Sequence, residues 1–322
     1  GVHYPDSTMK DGSKATPIAW IWARTVKSPD PSWPGNVPLV RSWILSKKPG
    51  KAVIWVEPVV DHENKSISYS VREGGVPQPP SVERGNGVCV ATGAPIPVTY
   101  VRSEANAGRM GSVLIAVVVD GPSGRAYVAP ENGSDGQPIP TPAWTVSGPV
   151  PRNLTGGTCA VYGLDDWGKL YTSRQILALT SLADLVAEAR TDIERHAIAA
   201  GLAADGTRLR DGGAGATAYA DAIVTYLAFA LSKALDFNCS LASWDSTNVK
   251  IRNTFARQAI PMTWDFAEAH VLGNAVGSWS SMCSSIVAAI EALPSKTAGA
   301  TAQRDARARI AEVGACVIST DP

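Results

Sequence analysis

Thr172-Ser-Arg-Gln-Ile-Leu-Ala-Leu-Thr-Ser-Leu-Ala-Asp-Leu-Val-Ala-Glu-Ala-Arg190 is where the chain changes its period. Thr172 or Ser173 supplies an N-cap, and Ile176, Leu177, Leu179, Leu182, Leu185 and Val186 recur at helical spacing, which predicts an amphipathic helix. Downstream, helices are expected over 216–236, 277–293 and 302–312. The second of the chain's four expected helices is apolar almost all round, and deep burial follows from that pattern. Residues 315–319, Ala-Cys-Val-Ile-Ser, return to strand and lead to Asp321-Pro322.

Upstream the pattern is different. Pro17-Ile-Ala-Trp-Ile-Trp-Ala-Arg24 reads as a strand, and residues 37–45 and 52–60 flank the turn signal Lys48-Pro-Gly-Lys51 as a hairpin. Further strands are expected at 66–72, 96–101, 112–119 and 125–129, with short separations that favour antiparallel pairing. Between the halves lies a Pro/Gly/Ser/Thr-rich connector, residues 131–160, the best candidate domain boundary. The expected organisation is a β-rich region, 1–130, the connector, and a mostly helical region, 161–322. A strand-rich half followed by helices and a final apolar strand reads as α+β, or as part of an α/β catalytic domain.

Composition narrows the classes. The chain has 322 residues, 45% hydrophobic and 18% charged, enough for a substantial core. No uninterrupted apolar run approaches the roughly 18–20 residues that cross a bilayer, and no secretory leader pattern opens the chain. A cytoplasmic protein without a membrane partner is expected. The first residue is not Met, which fits an internal piece of a longer protein. Net charge is zero, so a polyanion partner would need a local basic stripe. The densest one is Arg41, Lys47, Lys48 and Lys51, readable as a nucleic-acid contact or as a solvated turn. Five dispersed cysteines without a Cys-x-x-Cys pair suit reduced thiols, with Cys239 and Cys316 as small core residues.

The local motifs are sparse. Asp211-Gly-Gly-Ala-Gly-Ala-Thr-Ala-Tyr219 is glycine-rich and opens a helix, but no buried strand precedes it, so a flexible loop is the better account than a nucleotide loop. Its helix N-terminus would still offer N–H groups to an anion. Neither a His-Glu-x-x-His nor a Gly-x-Ser-x-Gly pattern occurs. The most distinctive stretch runs from Arg252 to Glu268. It sets Arg252, Asn253, Arg257 and Gln258 beside Trp264, Asp265, Phe266 and Glu268, a set that suits either base recognition or a buried polar network.

That stretch, with Ser319-Thr-Asp-Pro322, resembles the adenine-specific DNA methylase family that contains a zinc ribbon. The likeness spans nearly the whole chain. It includes Ala19-Trp-Ile-Trp-Ala-Arg-Thr-Val-Lys27, Pro38-Leu-Val-Arg-Ser-Trp-Ile-Leu-Ser-Lys-Lys48, Gly108-Arg-Met-Gly111, Tyr171-Thr-Ser-Arg-Gln175 and Gly215-Ala-Thr-Ala-Tyr-Ala-Asp221.

The resemblance implies an S-adenosyl-L-methionine-dependent DNA adenine-N6 methyltransferase of a restriction-modification or phage-defence system. Its partners would be DNA and other proteins of such a system. The cofactor-binding motif would lie upstream, and this chain would be an internal fragment, inactive alone, that ends at the start of an Asp-Pro-Pro-Tyr motif. Asp321 and Pro322 match the catalytic acceptors of the adenine amino hydrogens. The final strand would belong to a Rossmann-like sheet. Arg41, Lys47, Lys48, Arg252, Asn253, Arg257 and Gln258 become the candidates for DNA contact. Relatives carry paired cysteines where this chain has Ser28-Pro-Asp-Pro-Ser-Trp33 and Cys89-Val-Ala-Thr92, so a degenerate, metal-free ribbon packed around Trp33 is expected. The alternatives are a non-catalytic DNA-binding or scaffolding module related to the family, and a nucleotide-using enzyme built on 211–219.

Overall fold

The computed structural model describes residues 3–9, 11–121, 124–130, 139–153, 158–256 and 259–293. The expected helix 302–312, the strand 315–319, Cys316, Asp321, Pro322, Arg257 and Gln258 lie outside the described residues. Contacts divide the chain into a body, residues 1–286, and a short piece, residues 287–322.

The first half holds strands β1 (Ser7–Thr8), β2 (Lys14–Ala15), β3 (Pro17–Lys27), β4 (Asn36–Leu39), β5 (Ile44–Ser46), β6 (Ile54–Asp61) and β7 (Ser66–Glu73). It continues with β8 (Val82–Glu83), β9 (Asn86–Val88), β10 (Pro95–Ile96), helix α1 (Val98–Asn106), β11 (Gly111–Gly121) and β12 (Gly124–Val128). The second half holds α2 (Ser173–Ala199), α3 (Ala216–Phe237), β13 (Ser243–Asp245), β14 (Lys250–Arg252), β15 (Asp265–Ala269) and α4 (Trp279–Ala292). The fold is mixed α+β, and its strand pairings are antiparallel.

The central sheet runs β12-β11-β3-β15, and β4 also pairs with β3. Strand β3 is apolar on both faces because both are covered. Ala19, Ile21 and Ala23 face a core shared with Trp43, Leu45 and Val56 of the β5–β6 region, while Trp20 joins Leu114, Val117 and Val119 on the other side. By contrast β7 alternates Ser, Ile, Ser, Tyr, Ser, Val, and one of its faces meets solvent. Strand β15 comes from beyond the connector yet pairs along residues 19–23 of β3, so the two halves of the sequence share one sheet.

Three sequence expectations need correction. The run 37–45 is not one hairpin arm. Residues 36–39 pair with β3, and residues 44–46 pair with β6. In between, the Val40 amide donates to Ser81 Oγ and the Arg41 amide to Asp265 Oδ1, both at 2.8 Å, so side chains replace ladder partners while the chain changes sheets. The expected strand 96–101 is instead the two-residue β10 followed by α1. Pro97 precedes the helix, the Val98 amide donates to Asn86 Oδ1, and Val101, Glu104 and Ala105 form its buried side. Helix α3 is not deeply buried. Its small residues Ala216, Ala220, Ala230 and Ala234 are covered, whereas Phe229 is 54% exposed. By length and composition α3 is also apolar enough to cross a membrane, at a mean hydropathy of 1.2, a property that its scattered polar residues hide from a reading of uninterrupted apolar runs.

Candidate functional site

Strands β4 and β15 lie one after the other along the same edge of β3, with Leu39 opposite Arg24 and Asp265 opposite Ala23. The Arg24 amide bridges the junction by donating to the Trp264 carbonyl at 2.8 Å. Side chains gather there. The Arg24 guanidinium is buried and has no carboxylate partner among the described residues. Its Nε donates to the Thr263 carbonyl at 2.9 Å, its Nη2 to the Ser240 carbonyl and hydroxyl at 2.8 and 3.0 Å, and it lies 5.1 Å from the Phe266 ring centre. Burial pulls its pKa down to about 10, which leaves it cationic at neutral pH. Asp265 still meets some solvent, but the surrounding chain desolvates its carboxyl and pushes its pKa up to about 6.

Farther along the same two strands is a second buried centre. Glu268 is 1% exposed and accepts from Trp22 Nε1 at 2.9 Å, Arg174 Nε at 2.8 Å and Thr172 Oγ1 at 3.2 Å. Arg174 lies 4.1 Å from the Trp20 ring centre and 5.2 Å from that of Tyr4, and its Nη1 donates to the His3 carbonyl. Tyr4 stacks on His270 at 4.7 Å. Burial, and then the negative charge of Glu268, hold the Tyr4 hydroxyl well above its ordinary range. The helix start aims Arg174. Thr172 Oγ1 accepts from the Gln175 amide, Gln175 Oε1 accepts from the Thr172 amide, and this reciprocal cap fixes the first turn of α2.

The basic candidates fall elsewhere. Strand β5 docks on the β13–β14 hairpin. The Lys47 amide donates to the Ser246 carbonyl at 2.9 Å, and Trp244 Nε1 donates to the Leu45 carbonyl at 2.7 Å. Lys47, Lys48 and Arg252 are thereby brought to one region, together with Lys250, which the sequence reading did not single out. Arg252 is not free, because its Nε and Nη2 both donate to Asp245 Oδ2, at 3.0 and 2.9 Å. Burial works to raise the Asp245 pKa, but donors from Asn248, Arg252 and Thr247 outweigh it and hold the carboxyl far below the usual range. Asn253 Nδ2 is held aside by Asp236 Oδ2 at 3.1 Å. The Arg41 side chain is exposed beside the β4–β15 junction.

Two glycines settle the glycine-rich loop. A Cβ on Gly213 would collide with the Thr207 carbonyl, and one on Gly215 with the Ala203 carbonyl and the Asp205 carboxylate. These glycines permit close packing against residues 203–207 rather than approach to a phosphate. The first turn of α3 already has an anion, since Glu194 Oε1 accepts from Thr217 Oγ1.

The segments 28–33 and 89–92 meet. Ser28 Oγ donates to Cys89 Sγ at 3.5 Å, and Trp33, 1% exposed, packs in the same core. This donor set does not fit zinc: Cys89 is the one thiol in it, and its neighbours are hydroxyls. Among the described residues no group of three or more His, Cys, Asp or Glu side chains is placed to hold a metal.

No family model, no curated protein and no solved structure matches the chain.

The sequence reading missed the roles of Arg24, Arg174 and Asp245. A signal existed for two of them. Arg24 is a charge inside an apolar strand, and Arg174 sits in the first turn of a capped helix.

Proposed function

We propose that this chain is the recognition and helical region of an S-adenosyl-L-methionine-dependent DNA adenine-N6 methyltransferase, in which Asp321 and Pro322 open the catalytic loop. The observation that supports it most is convergence. The sequence blocks that carry the resemblance are far apart, yet Trp22, Arg174 and Glu268 come from three of them and meet in one buried centre, while Arg41 and Asp265 join a fourth at the adjacent junction.

In this reading S-adenosyl-L-methionine, when bound, supplies an electrophilic methyl group. The described residues offer no glycine-rich strand-loop for it, so its binding belongs to sequence outside them. The Asp321 carboxylate and the Pro322 carbonyl accept the two amino hydrogens of an adenine taken out of the stack. This localises the nitrogen lone pair, and flipping costs a few kcal/mol. The β domain contains a ribbon-like element held without metal by Ser28, Cys89 and Trp33, and purified protein is expected to carry no stoichiometric zinc. The last strand joins a Rossmann-like sheet.

The test is methyl transfer to DNA by the full-length protein that carries this chain, measured as N6-methyladenine, with and without Asp321→Ala. The variant should lose transfer while keeping its melting temperature. Undiminished transfer refutes the assignment. DNA binding without any transfer by the unaltered protein would support a non-catalytic module instead.

A further inference from the structure

The double hairpin that β5–β6 and β13–β14 build presents lysines that pair with no carboxylate among the described residues. Lys47, Lys48 and Lys51 lie in the turn between β5 and β6, and Lys250 opens β14, all four exposed. Among the described residues none of these ammonium groups makes a hydrogen bond or ion pair. The carboxylate nearest them in the hairpin, Asp245, is 4% exposed and saturated. Its Oδ1 accepts from the Thr247 and Asn248 amides at 3.0 and 3.1 Å, and its Oδ2 from Asn248 Nδ2 at 2.9 Å as well as from Arg252. On the other side Glu73, opposite Ile54, is the one acidic residue in register with the start of β6.

The same bonds decide what the surface is able to read. A guanidinium recognises guanine through two parallel donors, and a carboxamide recognises adenine through its oxygen and nitrogen together. Arg252 commits the Nε–Nη2 edge of its fork to Asp245 and leaves Nη1 uncommitted, and Asn253 commits one N–H to Asp236, so each side chain is fixed by a carboxylate of its own chain. The lysines, by contrast, are point charges on flexible stems, which suit phosphates rather than base edges. The two hairpins are joined by the Lys47–Ser246 and Trp244–Leu45 hydrogen bonds, so the lysines form one surface rather than two loose turns.

We infer that this double hairpin grips the phosphodiester backbone of a nucleic acid duplex independently of sequence, and that Arg252 and Asn253 are structural latches rather than readers of bases. The inference rests on DNA as the partner of the proposed function but concerns binding alone.

The experiment is fluorescence anisotropy with the full chain, without cofactor, on two unrelated duplexes of equal length over a salt series. Each phosphate contact contributes about 0.9 to the slope of log K against log salt, so Lys47→Ala/Lys48→Ala/Lys250→Ala should lower that slope by roughly 2–3 and weaken binding about tenfold or more at low salt. Both duplexes should lose affinity in parallel. Arg252→Gln should change affinity less than about twofold and leave the ratio between the duplexes unaltered. A triple variant that binds normally overturns the inference, as does an Arg252→Gln variant that shifts the ratio. Equal binding to phosphatidylserine vesicles, lost in the triple variant, overturns it in favour of a membrane surface. Failure of methyl transfer with intact lysine-dependent binding refutes the methyltransferase reading and leaves this one standing.

Discussion

Two arginine–carboxylate pairs in this molecule look alike on paper and do opposite work. Arg174 and Glu268 are separated by 94 residues, and their side chains are 11% and 1% exposed. Arg252 and Asp245 are separated by seven residues, and the arginine is 61% exposed while the carboxylate is 4% exposed. The first pair pins a helix start to the central sheet. The second closes a turn already held by Asn248 and Thr247, and it occupies one edge of an arginine that stays in water. A charge pair becomes a tertiary constraint only when both members lose their water, because then neither tolerates being alone.

The largest test of that contrast is Glu268→Gln. It keeps the shape of the side chain but leaves Arg174 charged and buried, and it should cost about 3–5 kcal/mol in urea unfolding. Glu268→Gln combined with Arg174→Met removes both charges and should recover much of the loss. A double variant as unstable as the single one would show that the pair is not coupled.

Acid titration gives a second, smaller test. Asp265 titrates at about 6 in the folded chain against 3.8 as an isolated group. Its folded pKa is raised, so its contribution is fully present below about 3.8 and is lost as pH rises through about 6. Asp221 has the opposite sign. Its hydrogen bond from Arg208 outweighs burial, with help from Arg190, and lowers its pKa to about 2, so its contribution is present above 3.8 and lost as pH falls through about 2. Asp265→Asn should therefore flatten the decline of stability between pH 4 and pH 7, by at most about 1.4 kcal/mol for each pH unit that separates the folded from the unfolded pKa. An unchanged profile in chemical denaturation would remove Asp265 as its source. The Asn side chain keeps an oxygen for the Arg41 amide, so the hydrogen bond itself should survive.

The smallest effect is expected at the surface. Arg252→Gln should cost no more than about 1 kcal/mol, because its charge is screened by water and Asp245 keeps its other donors. A loss as large as that of Glu268→Gln would erase the distinction drawn between the two pairs.

The parts of the fold that were legible are those written in a few neighbouring residues. The helix start at Thr172 or Ser173 and the strands β3, β11 and β7 were read with small errors at their ends, while the reciprocal bond of Gln175 was not. Helix α1 was missed because Val98 and Val101 carry strand-like side chains. Its helical period shows only once Val101, Glu104 and Ala105 are seen to be buried together. The arm 37–45 was read as continuous because nothing local says that Ser81 and Asp265 will satisfy the amides of Val40 and Arg41. The candidate site followed the same rule. The stretch from Arg252 to Glu268 was recognised as polar groups beside aromatics, with a base-reading face and a buried network left open. The folded chain divides it: Glu268 and Asp265 enter buried positions at β3, while Arg252 and Asn253 are held by other carboxylates.

Where α2 begins, where the long strands β3 and β11 run, and which residue types are available for chemistry were already written in the order of the amino acids. Steric preference, capping and side-chain period act over a few residues, and so they can be read from a few residues. Which carboxylate each arginine meets, and therefore which positive charges remain free, emerged only with the folded chain. Pairing between residues far apart depends on how the sheet orders its strands, and a buried charge takes whichever partner that order brings within hydrogen-bond reach.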